Sequence, residues 1–156
     1  MIELQPVTEQ EFPALVAKSI QGYADEGVAA GRWTAKTAYG HAKHIIDNDL
    51  PLGLHTPGHM LFHLISTDDK TTVGYTWLEL MVKDDLPTLF VADIEIESKF
   101  RRQGFAVAAF TVIEKLAVER GIDRVCLHVF KHNEAAQTLY RKLGFSISGL
   151  NMQKKL

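Results

Sequence analysis

The chain has 156 residues, of which 46% are hydrophobic, and a formal net charge of −2. That length and apolar share fit a single domain, 1–156, folded around one core. The charge balance excludes a global pull toward nucleic acid or an anionic membrane, and the lone Cys126, set in the apolar run VCLHVF, excludes an internal disulfide and reads as a buried inert thiol.

Residues 2–7 alternate weakly and read as a first strand. Thr8 and Glu11 form a capping-box pattern that opens a helix with Phe12, Leu15, Val16, Ile20 and Tyr23 on one face. The two glycines of 25–33 are expected to break or loosen that helix. A second helix follows, capped by Thr34 and carrying Ala35, Ala38, Tyr39, Ala42, Ile45, Ile46 and Leu50 at helical spacing. Gly40 inside it costs about 1 kcal/mol relative to alanine. Residues 59–66 and 71–82 read as antiparallel strands joined by the turn 67–70, and 88–97 as the third strand of that meander. From Ala106 to Ala117 small and apolar residues recur on one helix face, and Gly121 supplies the stop. A strand at 123–130, a helix at 133–144 and one or two strands around Ser148-Gly149 complete the order β-αα-βββ-α-β-α-β(β). This is an α/β (α+β) class with a mixed, mostly antiparallel central sheet and helices on both faces. No run is apolar and long enough to span a bilayer, and MIELQPVTEQEF has no signal pattern, so a cytoplasmic protein is expected.

Two constellations carry chemistry. The strand 90–96 enters the helix through Arg101-Arg102-Gln103-Gly104-Phe105-Ala106. Gly104 lets main chain approach a ligand, and the helix N-terminus presents unpaired N–H groups and positive dipole to an anion. On spacing alone, an ordinary strand–helix turn with solvated arginines is an equal reading. The second is Asn133 and Tyr140, seven apart on a helix with Ala136 between them, so both face the same way. Asn133 can donate to or accept from an amide, and Tyr140 carries a proton suited to general-acid work. Taken alone, Asn133 reads better as a helix cap and Tyr140 as a core residue. His41-x-x-His44 lacks a completing ligand set, so no metal is expected.

Together, KFRRQGFA at a strand–helix turn and LHVFKHNEAAQTLYRKLGF after it resemble the GNAT superfamily of acetyl-CoA-dependent N-acetyltransferases. The family pattern is [QR]-x-x-G-x-[GA], then N-x-x-A-x-x-L-Y-x-x-x-G-F, matched here by Asn133, Ala136, Leu139, Tyr140, Gly144 and Phe145 without a gap. The match covers about 70 residues directly. Ala106 stands where glycine is more usual, and Arg102 replaces a frequent glycine, a change expected to matter little because the main-chain N–H is the working group.

The resemblance implies acetyl-CoA as co-substrate. The amides of Arg101, Arg102, Gln103, Gly104, Phe105 and Ala106 would cradle its pyrophosphate. Main-chain groups of Ile94, Glu95 and Ile96 would pair with the pantetheine, between strands that splay at 90–97 and 124–130. Asn133 and Ala136 would face the cofactor, and Tyr140 would protonate the leaving thiolate. In relatives the proton acceptor often sits at positions matching Phe90, Ala92 or Ile94, none of which can take a proton. Asp93 and Glu95 lie on the other face of a regular strand, but a bulge near 94–96 could re-aim Glu95, the favoured base. Asp93, Glu79 and a water relay are the alternatives. Tyr23, Trp33, Tyr39, His59 and Trp77 are candidate acceptor-pocket aromatics. The expected partner is a small-molecule or protein amine, with no nucleic acid and no membrane, and a homodimer is possible as in relatives. A non-catalytic acyl-CoA-binding module is the competing function.

Overall fold

The structure is a computed structural model describing residues 1–156. Strands β1 (Ile2–Pro6), β2 (His59–Ser66), β3 (Thr72–Lys83), β4 (Leu86–Ile96) and β5 (Val125–Leu127) form one sheet in that spatial order. The first four pair antiparallel, and β5 lies parallel to β4. Helices α1 (Phe12–Ala29) and α2 (Ala38–Asp49) separate β1 from β2. Helix α3 (Phe105–Glu119) provides the crossover that a parallel β4–β5 pair requires, and α4 (Glu134–Lys142) follows β5. No helix is long and apolar enough to cross a membrane.

The sheet is covered on both faces, as the periodicities predict. Leu15, Ile20 and Ala24 of α1 and Ala42 and Ile46 of α2 bury against Leu61, Tyr75 and Trp77 on one face. Phe110, Ile113 and Ala117 of α3 bury against Leu78, Leu89 and Val91 on the other. The apolar stripe of each helix removes its own face from water, at about 25 cal/mol per Å² of apolar surface buried.

Local chemistry departs from expectation in three places. Helix α1 runs through Gly27 rather than loosening there, because Trp33 folds back against it. A Cβ on Gly27 would lie 2.3 Å from the indole, and the Gly27 carbonyl accepts from the amides of Arg32 and Trp33. The break comes at Gly31, which takes φ +70°. The capping box is half formed: the Thr8 amide and hydroxyl both donate to the Glu11 carboxylate, while the amide of Phe12 bonds the Thr8 carbonyl. Finally, residues 145–156 form no strand. The expected strand at 123–130 is likewise cut to Val125–Leu127, so the edge on which a closing strand would be laid is short. Ile147, Leu150 and Met152 are exposed as a result.

Candidate active site

The site lies where β4 and β5 part. Their pairing runs Leu89 with Val125, Phe90 with Cys126 and Val91 with Leu127, and then stops, although β4 continues to Ile96. The strands expected to splay over 90–97 and 124–130 therefore stay paired through Val91 and Leu127, and part only beyond them. The Glu97 amide donates to the Val73 carbonyl. By antiparallel alternation the main-chain groups of Ile94 and Ile96 therefore turn away from β3, toward the opening, while those of Glu95 face Tyr75 on β3. Ile94 is thus left as the strand-edge donor and acceptor. The Ile96 carbonyl already accepts from Arg101 Nε at 3.0 Å.

A single 3₁₀ turn, Ser98–Phe100, follows β4 and leads into α3. The Arg101 amide bonds the Ser98 carbonyl at 3.3 Å and so leaves the expected cradle. The amides of Arg102, Gln103, Gly104, Phe105, Ala106 and Val107 donate to no acceptor in the chain, and the ladder of α3 begins only with Ala108 bonding Gly104. The cradle is shifted one residue along from its expected position, to 102–107. Gly104 is the N-cap at φ +87°, and Arg102 also takes a positive φ, +64°. The arginine therefore holds a left-handed conformation that glycine adopts without cost, which gives the glycine preference at this position a backbone cause. Arg102→Gly is expected to relieve roughly 1 kcal/mol of strain, measurable by urea denaturation. Its effect on coenzyme A affinity should be confined to the salt-dependent part contributed by the lost charge.

Asn133 is the N-cap of α4. Its Oδ1 accepts from the Ala136 amide at 3.2 Å, which leaves its amide nitrogen for a ligand. Tyr140 packs edge-on against Phe110 and Phe145, with ring centroids 5.6 and 5.8 Å away. Burial raises its pKa, and the charges of Asp93 and Glu26 raise it further. Its hydroxyl thus keeps its proton at neutral pH and lies within electrostatic reach of α1 and β4.

The carboxylates are arranged by a bulge that lies upstream of the expected place. Trp77 pairs with Asp93 but Leu78 pairs with Val91, so Ala92 is the extra residue of β4. Leu89 and Val91 face α3, Ala92 faces the α1–α2 core, and Ile94 and Ile96 again face α3. The phase change turns both Asp93 and Glu95 toward α1, not Glu95 alone. Asp93 Oδ2 accepts from Ser19 Oγ at 2.5 Å and from the Tyr75 hydroxyl at 2.7 Å. Glu95 lies 3.2 Å from Lys18 Nζ. Burial pushes the Asp93 carboxyl above the usual range, the hydroxyl donors pull it down, and Glu95 pushes it up. The Tyr75 hydroxyl is raised by its own burial and by Asp93.

Asp93 is neutral more readily folded than unfolded, so its contribution to stability is complete below the ordinary carboxylate range. That contribution is lost as pH rises through the elevated folded value. Asp93→Asn should therefore raise the melting temperature at neutral pH, with the advantage vanishing in acid. Thermal denaturation at both pH values checks this.

Glu79, the other carboxylate considered, lies 3.8 Å from His59 Nε2, and His59 Nδ1 accepts from the Trp77 indole at 3.0 Å. Trp33 stacks on His41 with centroids 5.5 Å apart and meets Tyr23 edge-on, so these aromatics form the α1–α2 corner, while Tyr39 is largely exposed. No group of three or more His, Cys, Asp or Glu is arranged to hold a metal. The pattern did not single out Lys18, Ser19, Glu26, Tyr75 or His132. Glu26 reaches across from α1 to lie 2.7 Å from His132 Nε2. Ser19 had a readable signal, as the one small polar residue among the apolar and aromatic side chains of the α1 stripe.

A mixed sheet whose β4–β5 pairing ends early, beside unspent helix-terminal amides, fits the architecture of an acyltransferase. The acetyltransferase (GNAT) family model matches residues 26–145, and the chain belongs to that family. It is 31% identical to the uncharacterised N-acetyltransferase YdgE of Bacillus subtilis over 98% of this chain and 97% of that one. It is 33% identical to a second, YycN, over 99% of each. The crystal structure of YycN superposes with a TM-score of 0.93, covering 100% of this chain and 99% of that one. The fold is shared, at TM-score 0.65 and 13% identity, with AAC(6')-Iy in complex with a bisubstrate analog, CoA-S-monomethyl-acetylneamine, over 100% of this chain and 98% of that one.

Proposed function

We propose that the protein transfers the acetyl group of acetyl-CoA to a primary amine by direct attack in a ternary complex. The observation that carries this reading is the run of unbonded amides at 102–107 opening onto the β4–β5 parting, with Tyr140 beside it. The amides and helix dipole hold the pyrophosphate. Ile94 main chain pairs with the pantetheine arm, and an N–H there polarises the thioester carbonyl. The amide nitrogen of Asn133 bonds the arm, and Ala136 leaves room for it to pass. Tyr140 donates its proton to the departing thiolate. Because Asp93 and Glu95 gather on the α1 side of β4, and Glu26 lies on α1 itself, the acceptor is a cationic amine that approaches from that side.

A protonated Tyr140 packed against the cluster that includes Val91, where the β4–β5 pairing ends, favours catalysis over a purely binding role. The test is release of thiol from acetyl-CoA with a panel of alkylamines, amino acids and peptides. Amine-dependent release is expected. Binding of acetyl-CoA with no release for any amine would sink the reading. Coenzyme A at a hundred times its Kd should also stabilise the fold by about 2.7 kcal/mol, read as a rise in melting temperature.

A further inference from the structure

We infer that Asp93, clamped by Ser19 and Tyr75, is the group that takes the proton from the acceptor's ammonium, and that Glu95 is not. This rests on the acetyl-transfer reading above. The Glu95 carboxylate is held by Lys18 at 3.2 Å, and a carboxylate already paired with an ammonium is a poorer proton acceptor. Asp93 has no cation of its own. Both of its side-chain donors are neutral hydroxyls, and both reach the same oxygen, Oδ2, at 2.5 and 2.7 Å. That fixes the carboxyl plane and leaves Oδ1 without a side-chain donor. The bulge at Ala92 places Asp93 two residues beyond the last β4–β5 pair, at the mouth of the parting. Tyr140 packs against the cluster that includes Val91, the β4 residue at which the pairing with β5 ends. Ser19 and Tyr75 act as positioning residues.

The groups that act on Asp93 are Ser19 from α1, Tyr75 from β3, and Glu95 and the Ile94 main chain from β4, with Lys18 of α1 engaged by Glu95 and Glu26 by His132. Burial keeps the carboxyl more basic than a surface aspartate, in the direction a general base requires. The step balances as follows. Asp93 Oδ1 takes one proton from R–NH₃⁺, and the freed lone pair forms the C–N bond at the thioester carbonyl. Collapse of the adduct breaks C–S. The thiolate takes the Tyr140 proton, the second proton on nitrogen restores Tyr140, and Asp93 returns its proton to solvent.

The experiment compares wild type, Asp93→Asn, Glu95→Gln and Ser19→Ala at about pH 7.5, with an alkylamine and with hydroxylamine, which is already neutral there and needs no base. Asp93→Asn should lose about 100-fold in kcat/KM for the alkylamine, keep hydroxylamine turnover within a few-fold, and keep wild-type acetyl-CoA binding. Ser19→Ala should show a smaller loss of the same selectivity, with a displaced acid limb of the pH profile. Equal loss on both nucleophiles, or a larger alkylamine loss in Glu95→Gln, overturns the assignment to Asp93 while leaving acetyl transfer standing. A wild-type protein that releases no thiol with any amine overturns both.

Discussion

Tyr140→Phe should lower kcat by about 100- to 10,000-fold, the range a positioned general acid supplies. The Km for acetyl-CoA and the melting temperature should stay close to wild type. The separation is expected because the ring, not the hydroxyl, holds the side chain in place. Phe110 and Phe145 contact its edge and face at 5.6 and 5.8 Å, and phenylalanine preserves both contacts. The hydroxyl makes no hydrogen bond within the chain, so none is lost. What disappears is the proton that burial and the Asp93 and Glu26 charges hold on the oxygen. An acetyl thioester with a more acidic leaving thiol needs less protonation, so it should recover part of the lost rate. Steady-state kinetics on both thioesters, with calorimetric binding of coenzyme A, checks the result. A variant with undiminished kcat would remove Tyr140 from the chemistry.

Gly74→Ala should destabilise the protein by about 3 kcal/mol and weaken acetyl-CoA binding together. A Cβ at Gly74 would fall 1.9 Å from the Glu95 carbonyl oxygen, with Glu95 carbonyl carbon and Ile96 Cα at 3.0 and 3.1 Å. All of these are main-chain atoms, so no side chain can swing aside. Strand β4 must move away from β3 over the residues that border the opening. Urea denaturation should show a lower midpoint with an unchanged slope, and the KM for acetyl-CoA should rise. An alanine variant as stable as wild type would mean that the strands can separate there without cost.

The elements that local periodicity specifies were legible in the sequence. The apolar stripe from Ala106 to Ala117 gave α3, and the alternation through 59–66 and 88–96 gave the meander. The run of unbonded amides was legible because glycine and a helix start are local signals, although its one-residue offset depends on the 3₁₀ turn at 98–100. The Ser19–Asp93–Tyr75 cluster was not legible, since its members are 74 and 18 residues apart and meet only when α1 lies over β3 and β4. The continuation of α1 past Gly27 likewise depends on Trp33 arriving from outside the helix. The bulge was expected in kind but not in place, because its position is set by the pairing of Trp77 and Leu78 rather than by any residue of β4 itself.

That one unpaired alanine decides where β4 can change length. With Ala92 excised, Asp93 would follow Val91 in plain alternation, and Asp93, Ile94, Glu95 and Ile96 would each keep the side they now face. A cut in the regular stretch beyond it has the opposite effect. Without Ile94, every later residue would rotate by half a period, driving Glu95 into the greasy layer under α3 and turning Ile96 out toward α1. The strand can accept many replacements along its run, but evolution or a protein engineer could shorten it by a single residue only at the bulge without trading charge for oil.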